Sequence, residues 1–300
     1  MAHIVPHPPM NIPAADLLDW YDRVRRDLPW RQPGVTAWQI LVSEFMLQQT
    51  PVARVLPLWS EWVQRWPTAS ATAAASPADV LRAWGKLGYP RRAKRLHECA
   101  TVIARDHADV VPDDVEILLT LPGVGAYTAR AVACFAYGQA VPVVDTNVRR
   151  VVARAVHGRA GAGMPSAARD HADVAALLPE SDMAPKFSAA LMELGATVCT
   201  ARNPGCGLCP LSACHWRQAG YPADDRPARR PQRYAGTDRQ VRGLLLDVLR
   251  TSDFPVNRAQ LDVAWLMNNA QRDRALDSLL ADGLVTRTVD GLFTLAGEEN

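Results

Sequence analysis

The segment LPGVGAYTA at residues 121–129 limits what this chain can fold into more than any other stretch. Gly123 and Gly125, two residues apart, let the backbone turn tightly between two helices. The N–H groups of Gly123, Val124 and Gly125, with the N-terminus of the helix that follows, can face a phosphate oxygen. A Gly-x-Gly taken alone reads by default as a structural turn, so the surroundings decide.

Those surroundings carry helical periodicity. Leu17, Leu18, Tyr21 and Val24 share one face of a helix over 14–26. Thr36 and Gln39 form a capping box, and Trp38, Leu41, Val42, Phe45 and Met46 make one apolar stripe closed by Pro51. On that helix Glu44 falls at the polar flank, with Gln48 one turn on. Further helices are expected over about 53–65, 77–84, 91–106, 114–120 and 126–137, from Asp145 to about His157, and over 166–178 and 185–199. The Ala-rich 69–75 reads as low complexity. The body is thus expected to be all-α. A polar, proline-rich linker covers 217–236. Beyond it, helices near Val241–Leu249, 258–266 and 270–281 precede LVTRTV, Asp290-Gly291 and LFTL, a β-hairpin with a two-residue turn. Three helices and a hairpin are the pattern of a winged helix, with Arg272 and Arg274 on its third helix.

The chain has 300 residues, 48% hydrophobic and 21% charged, which excludes a disordered or collagen-like protein and suggests about two domains. No apolar run approaches ~18 residues, so no membrane span is expected. The start lacks a basic region followed by an apolar stretch, and a cytoplasmic, nucleoid-associated monomer without membrane contact is expected. The net charge of +2 divides as +1 over 1–144, +4 over 145–234 and −3 over 235–300. The basic middle, with Arg149-Arg150 and RPARRPQR at 226–233, suits nucleic acid or a solvated surface equally. The acidic balance of the tail argues against strong phosphate binding there. Lys86, Lys94 and Lys186 are the only lysines.

Cys99 and Cys134 lie alone in helical, apolar stretches and read as core. Cys199, Cys206, Cys209 and Cys214 fall within sixteen residues, spaced Cys-x6-Cys-x2-Cys-x4-Cys. Inside a cell such a cluster means metal more often than disulfides. One CxxC flanked by single cysteines is closer to a four-thiolate iron–sulfur set than to zinc. Twenty residues after Gly125 stands Asp145, in VVDTNVRR, well suited either to cap a helix or to serve a site.

Together these motifs resemble the helix-hairpin-helix DNA glycosylases. The hairpin, the aspartate and the four-cysteine loop at 199–214 resemble the endonuclease III-like branch. DLPWR at 27–31, SEFMLQQTP at 43–51, GKLGY at 85–89, Tyr127 after the hairpin and Asp145-x-Asn147 resemble its MutY-type adenine DNA glycosylases. The resemblance covers about 14–216. It implies an all-α helix-hairpin-helix glycosylase domain over 14–216 holding a [4Fe–4S] cluster on Cys199, Cys206, Cys209 and Cys214. A basic linker over 217–236 and a small winged-helix-like domain over 237–297 would follow. It further implies a monofunctional enzyme that flips adenine out of A:8-oxoguanine or A:G mispairs in double-stranded DNA. Glu44 would protonate the base, and Asp145 would stay ionised and stabilise the sugar cation, supported by Tyr127 and Asn147. Arg26, Leu28, Trp30, Arg31, Gln48 and Thr50 would belong to the base pocket and its DNA contacts. Gln49 and Tyr89 would fill or wedge the vacated stack, Leu87 and Gly88 would belong to the DNA-binding surface, and Arg202 would meet phosphate.

Some positions depart from that pattern. The last cysteine gap is four residues instead of five, Pro90 replaces a second aromatic, and Ala189 replaces a polar pocket residue. Tyr127 stands where lyase relatives carry a Schiff-base lysine. The tail is too short for the NUDIX-like domain with which many MutY proteins read 8-oxoguanine. Two other readings stay open: a mismatch thymine or oxidised-pyrimidine glycosylase of the same superfamily, and a non-enzymatic, metal-containing DNA-binding regulator.

Overall fold

The computed structural model describes residues 12–180, 182–224 and 234–298. The basic run at 226–233 and nearly all of the proline-rich start lie outside the described residues. In chain order the helices are α1 (Ala14–Val24), α2 (Ala37–Leu47), α3 (Val52–Arg65), α4 (Ala69–Ala73), α5 (Pro77–Trp84), α6 (Arg91–Asp106), α7 (Val115–Thr120), α8 (Ala126–Tyr137), α9 (Thr146–Ala155), α10 (Ala167–Ala175), α11 (Ala184–Thr197), α12 (His215–Gln218), α13 (Asp238–Arg250), α14 (Arg258–Asp262) and α15 (Asn269–Ala281), before strands β1 (Val285–Arg287) and β2 (Phe293–Leu295). They form two units, each assembled from separate stretches of chain.

The first unit comprises Met1–Leu28, Asp113–Glu116 and Gly125–Ala228. Its centre is α11, packed against α1 and α9. On α9 Val148, Val151, Val152 and Ala155 recur at i, i+3, i+4 and i+7, one helical face, and that face is buried with Leu17 and Tyr21 of α1 and Phe187, Leu191 and Leu194 of α11. The crossing of α9 and α11 depends on Gly195. A Cβ there would stand 2.6 Å from Cβ of Asn147 and 2.9 Å from its carbonyl carbon.

The second unit comprises Pro29–Pro112, Ile117–Val124 and Arg229–Asn300. Its core stacks indoles edge to face: Trp62 lies 4.7 Å from Trp66 and 6.0 Å from Trp84. The Ala-rich stretch is a helix after all. Thr68 caps α4, and Ala69 and Thr72 are buried where α4 meets α6; small side chains allow that close approach. The capping box at Thr36 and Gln39 is present. The single stripe on α2 is not, because every residue from Ile40 to Met46 is buried, Glu44 included. Helical phase places a polar residue on a flank, but other elements cover that flank as well.

Residues 238–295 form three helices and an antiparallel hairpin in which Val285 pairs with Leu295 and Arg287 with Phe293. The hairpin turn is longer than two residues. The Thr288 N–H donates to the Leu292 carbonyl at 2.9 Å, leaving a three-residue loop with Gly291 at φ +79°. Val256 adds a bridge to Phe293. Arg272 does not project outward: it is buried and donates to the Asp262 and Trp265 carbonyls at 3.2 Å. Arg274 is exposed, 3.8 Å from Asp238. The tail packs on α5. Arg82 donates to the Ser252 carbonyl at 3.1 Å and pairs with Glu298, and Arg250 donates to the Leu81 carbonyl at 3.1 Å.

Candidate active site and cysteine loop

In the first unit the chain runs from Gly125, the cap of α8, through Tyr127 to Asp145, the cap of α9. The Asp145 carboxylate accepts the Val148 N–H at 2.7 Å and the Asn147 amide at 2.7 Å. Asp145 thus takes the capping role. Burial pushes the Asp145 carboxyl above the usual aspartate range, while these donors and the nearby Arg150 charge pull it back. Arg150 continues the chain of contacts. It donates at 2.7 Å to the Asn147 side-chain oxygen, at 2.6 Å to the Gly195 carbonyl and at 2.7 Å to the Cys199 carbonyl. Half-buried Tyr127 packs against Ala131, Cys134 and Val143.

Cys199, Cys206, Cys209 and Cys214 are free thiols lining one cavity with Val198, Leu211 and Trp216. Arg154 bounds it: the guanidinium stands 3.5 Å from the Cys199 sulfur and 4.6 Å from the Trp216 ring centroid, and its carbonyl accepts from the Cys214 thiol. Among the described residues no group of three or more His, Cys, Asp or Glu is arranged for a single metal ion. Four thiols around an apolar cavity suit a multinuclear cluster, whose ligands stand further apart than those of one ion. Arg202 is exposed on this loop.

Arg26 is tied to a residue the motifs did not single out. Its Nε and Nη2 reach the Glu193 carboxylate at 2.6 and 3.0 Å, and its backbone N–H does so at 3.2 Å. Glu193 is fully buried on α11. A buried carboxylate needs such a partner, and a Glu at an otherwise apolar helix position was the available signal. Leu28 is buried nearby in sequence.

The second unit holds the remaining candidates. Glu44 is buried on α2. Buried Trp30 meets Trp59 edge to face at 5.7 Å, and Arg31 ends the same 3-10 turn. Gln48 caps α2, and Gln49 follows in the left-handed region at φ +57°. Tyr89 is left-handed as well, at φ +49°, after Gly88 at φ +86°. Bulky residues rarely adopt this backbone, and where they do, a site is often involved. Leu87 is buried beneath the turn. Arg92, also not singled out, joins the two strained turns. It donates to the Phe45, Met46 and Gln48 carbonyls at 2.6–3.0 Å, to the Thr50 hydroxyl at 2.8 Å and to the Gly88 carbonyl at 3.1 Å. Burial lowers its guanidinium to about 10, still charged at neutral pH. Gly123, at φ +79°, lies so close to Phe45 and Arg95 that a Cβ would meet them at 2.8 and 2.7 Å, so this position packs against side chains of α2 and α6. Val124 is buried next to it.

The model of the HhH-GPD superfamily of base excision DNA repair proteins matches residues 42–161. An adenine DNA glycosylase of Mycobacterium tuberculosis is 76% identical over 302 residues, covering 99% of both chains. One of Mycolicibacterium smegmatis is 75% identical over 289 residues, covering 96% of this chain and 98% of that one. Among solved structures, a thermostable thymine-DNA glycosylase is similar with a TM-score of 0.62 at 27% identity, covering 68% of this chain and 95% of that one. A trapped endonuclease III–DNA covalent intermediate shares the fold with a TM-score of 0.59 at 20% identity, covering 69% and 95%. With a hairpin-led site, a capped aspartate and relatives of this identity over its whole length, the chain belongs to the adenine DNA glycosylases of the HhH-GPD superfamily.

Proposed function

We propose that this protein is a monofunctional adenine DNA glycosylase that flips adenine out of A:8-oxoguanine or A:G mispairs and hydrolyses its N-glycosidic bond. The observation that carries the reading is Asp145, a half-buried carboxylate held by two donors on the cap of α9, the next helix after the one the hairpin opens. The names of the relatives supply the base.

In this reading Glu44 gives its proton to N7 of adenine, and the C1′–N9 bonding pair leaves with the base. The ionised Asp145 stabilises the positive charge left on the deoxyribose until water adds at C1′ and gives its proton to the now ionised Glu44, yielding free adenine and an abasic site. Asn147 and the Val148 N–H keep Asp145 oriented. The hairpin N–H groups bind phosphate, Tyr89 and Gln49 fill the stack that the base leaves, and the residues around Trp30 receive the base. Cys199, Cys206, Cys209 and Cys214 would hold a [4Fe–4S] cluster, which when bound cross-links the loop. The lysines support the absence of a Schiff-base step: Lys186 is bonded to Asp22 at 2.6 Å, Lys94 to the Asp282 carbonyl at 3.0 Å, and Lys86 lies 3.5 Å from Asp247.

Single-turnover cleavage of duplexes with A opposite 8-oxoguanine, G or C, alongside Glu44→Gln, tests the reading. Adenine release from the first two, with nicking only after alkali and none from Glu44→Gln, is the expected result. Release of thymine from a G:T duplex instead would move the protein to the mismatch-thymine class. Tight duplex binding with no base released would mark a DNA-binding regulator.

A further inference from the structure

Arg239, in the first turn of α13, reaches back to the strained turn of the same unit. Its Nη1 donates to the Tyr89 hydroxyl at 3.0 Å, and its guanidinium lies 5.8 Å from the centroid of that ring and 5.1 Å from that of Tyr234. On the other side Arg92 stands 5.5 Å from the Tyr89 centroid. Tyr89 is therefore held by two cations, one from the body and one from the tail.

The ring needs holding. Tyr89 combines a left-handed backbone with a following proline, and the proline further restricts the residue before it. The residue is 41% exposed, so packing alone does not fix it. The Gly88 carbonyl, bonded by the Trp84 indole and by Arg92, secures the backbone of the turn but not the ring. Arg239 supplies the missing restraint from a fixed base, because Arg250 at the other end of α13 is bonded to α5.

We propose that Arg239 is a positioning residue for base extrusion: it orients the Tyr89 ring as a wedge and so makes the C-terminal segment part of the flipping machinery. The inference rests on the wedge reading of Tyr89 given above. A phosphate-contacting Arg239 would be the competing role, and it would act on any duplex irrespective of Tyr89.

The test uses the full-length protein with Tyr89→Ala, Arg239→Ala, the double variant and Arg239→Lys. Single-turnover excision from an A:8-oxoguanine duplex is measured beside fluorescence of 2-aminopurine at the target position, which reports extrusion. Binding to an undamaged duplex and thermal melting are followed in parallel. Arg239→Ala is expected to slow both extrusion and excision about fivefold, the size of a lost cation–π contact with its hydrogen bond. Undamaged-duplex affinity should stay unchanged and Tm should fall no more than for Tyr89→Ala, and the double variant should be no slower than Tyr89→Ala. Arg239→Lys, which can still donate to the hydroxyl, should recover part of the loss. The proposal is overturned if Arg239→Ala adds its full loss on top of Tyr89→Ala, or weakens undamaged-duplex binding as much as excision. It also fails if Tyr89→Ala is slow while Arg239→Ala extrudes and excises at the wild-type rate. If Tyr89→Ala itself behaves as wild type, the wedge reading falls first, and this proposal with it.

Discussion

At the scale of single residues, the chemistry rests on how charges are held. Asp145 is burdened by desolvation, so the folded state protonates it more readily than the unfolded chain does. Its folded pKa therefore lies above the unfolded one, and its contribution to stability falls as pH rises through the interval between them. Asp145→Asn, whose amide oxygen can still cap α9, should raise the Tm at neutral pH while abolishing excision. The gain should vanish at acid pH where both forms are neutral. Arg150 and Asn147 act in the opposite sense, favouring the charged form. Asn147→Ser should slow excision about tenfold and move the acid limb of the single-turnover rate to higher pH; an unmoved limb would show that Asn147 does not tune the carboxylate. The Arg26–Glu193 pair gives an asymmetric expectation. Glu193 is fully buried, whereas the Arg26 side chain is 39% exposed. Arg26→Ala takes the guanidinium away from the buried Glu193 carboxylate, keeping only the backbone N–H of the pair, and should cost about 3 kcal/mol, whereas Glu193→Gln leaves an arginine that water can reach and should cost about 1 kcal/mol. Urea unfolding of the two variants compares them directly.

At the scale of elements, close helix approach positions the site. α9 carries Asp145 at its cap and Asn147 in its first turn, and α11 meets that turn at Gly195. Gly195→Ala would force the two helices apart, costing about 1–3 kcal/mol by overpacking. The activity loss should exceed what the fraction unfolded explains, because Asn147 moves with the collision; equal losses would make Gly195 a packing residue only. The helices themselves were legible in the sequence. Apolar spacing located α1, α5, α6 and α8 to within two residues, as local periodicity and caps are properties of short segments. The short α4 escaped notice, since alanines and threonines carry no apolar contrast. Helical phase alone set Glu44 on a polar flank, while the role of acid called for its partial burial; a helical wheel distinguishes two faces, but α2 is covered on all sides. Arg92 and Glu193 were invisible for a related reason, as neither lies in a motif and each pairs with groups distant in sequence, Arg92 as donor and Glu193 as acceptor.

At the scale of the molecule, two features extend beyond the motifs. The cysteine loop is tied to the Asp145 region through Arg150, which bonds both the Cys199 carbonyl and Asn147. Replacing Cys206 and Cys209 with serine should remove bound iron and sulfide and lower the Tm, as a loop loses its cross-links. Iron analysis of the purified protein checks the first expectation and calorimetry the second. The tail is held on α5 through Arg82 as well as through packing. Arg82→Ala leaves the Arg250 and Ser252 carbonyls without this donor and should destabilise the protein by about 1–2 kcal/mol. Amide exchange concentrated in α13 would locate the effect at the tail; uniform change would not.

What the sequence determined by itself was local or carried by motifs: the helical period, the caps, the Gly-Val-Gly turn, the four cysteines and the absence of a lysine at Tyr127. These depend on residues near one another in the chain, where spacing already specifies geometry. What only the tertiary structure decided was which polar groups meet: Arg26 with Glu193, Arg150 with the Gly195 and Cys199 carbonyls, and Arg239 with Tyr89. Such pairs join segments separated by up to 167 residues. An arginine in a sequence shows only that a charge is present. The partner that holds it is chosen when folding removes water and leaves each buried donor and acceptor to find its match.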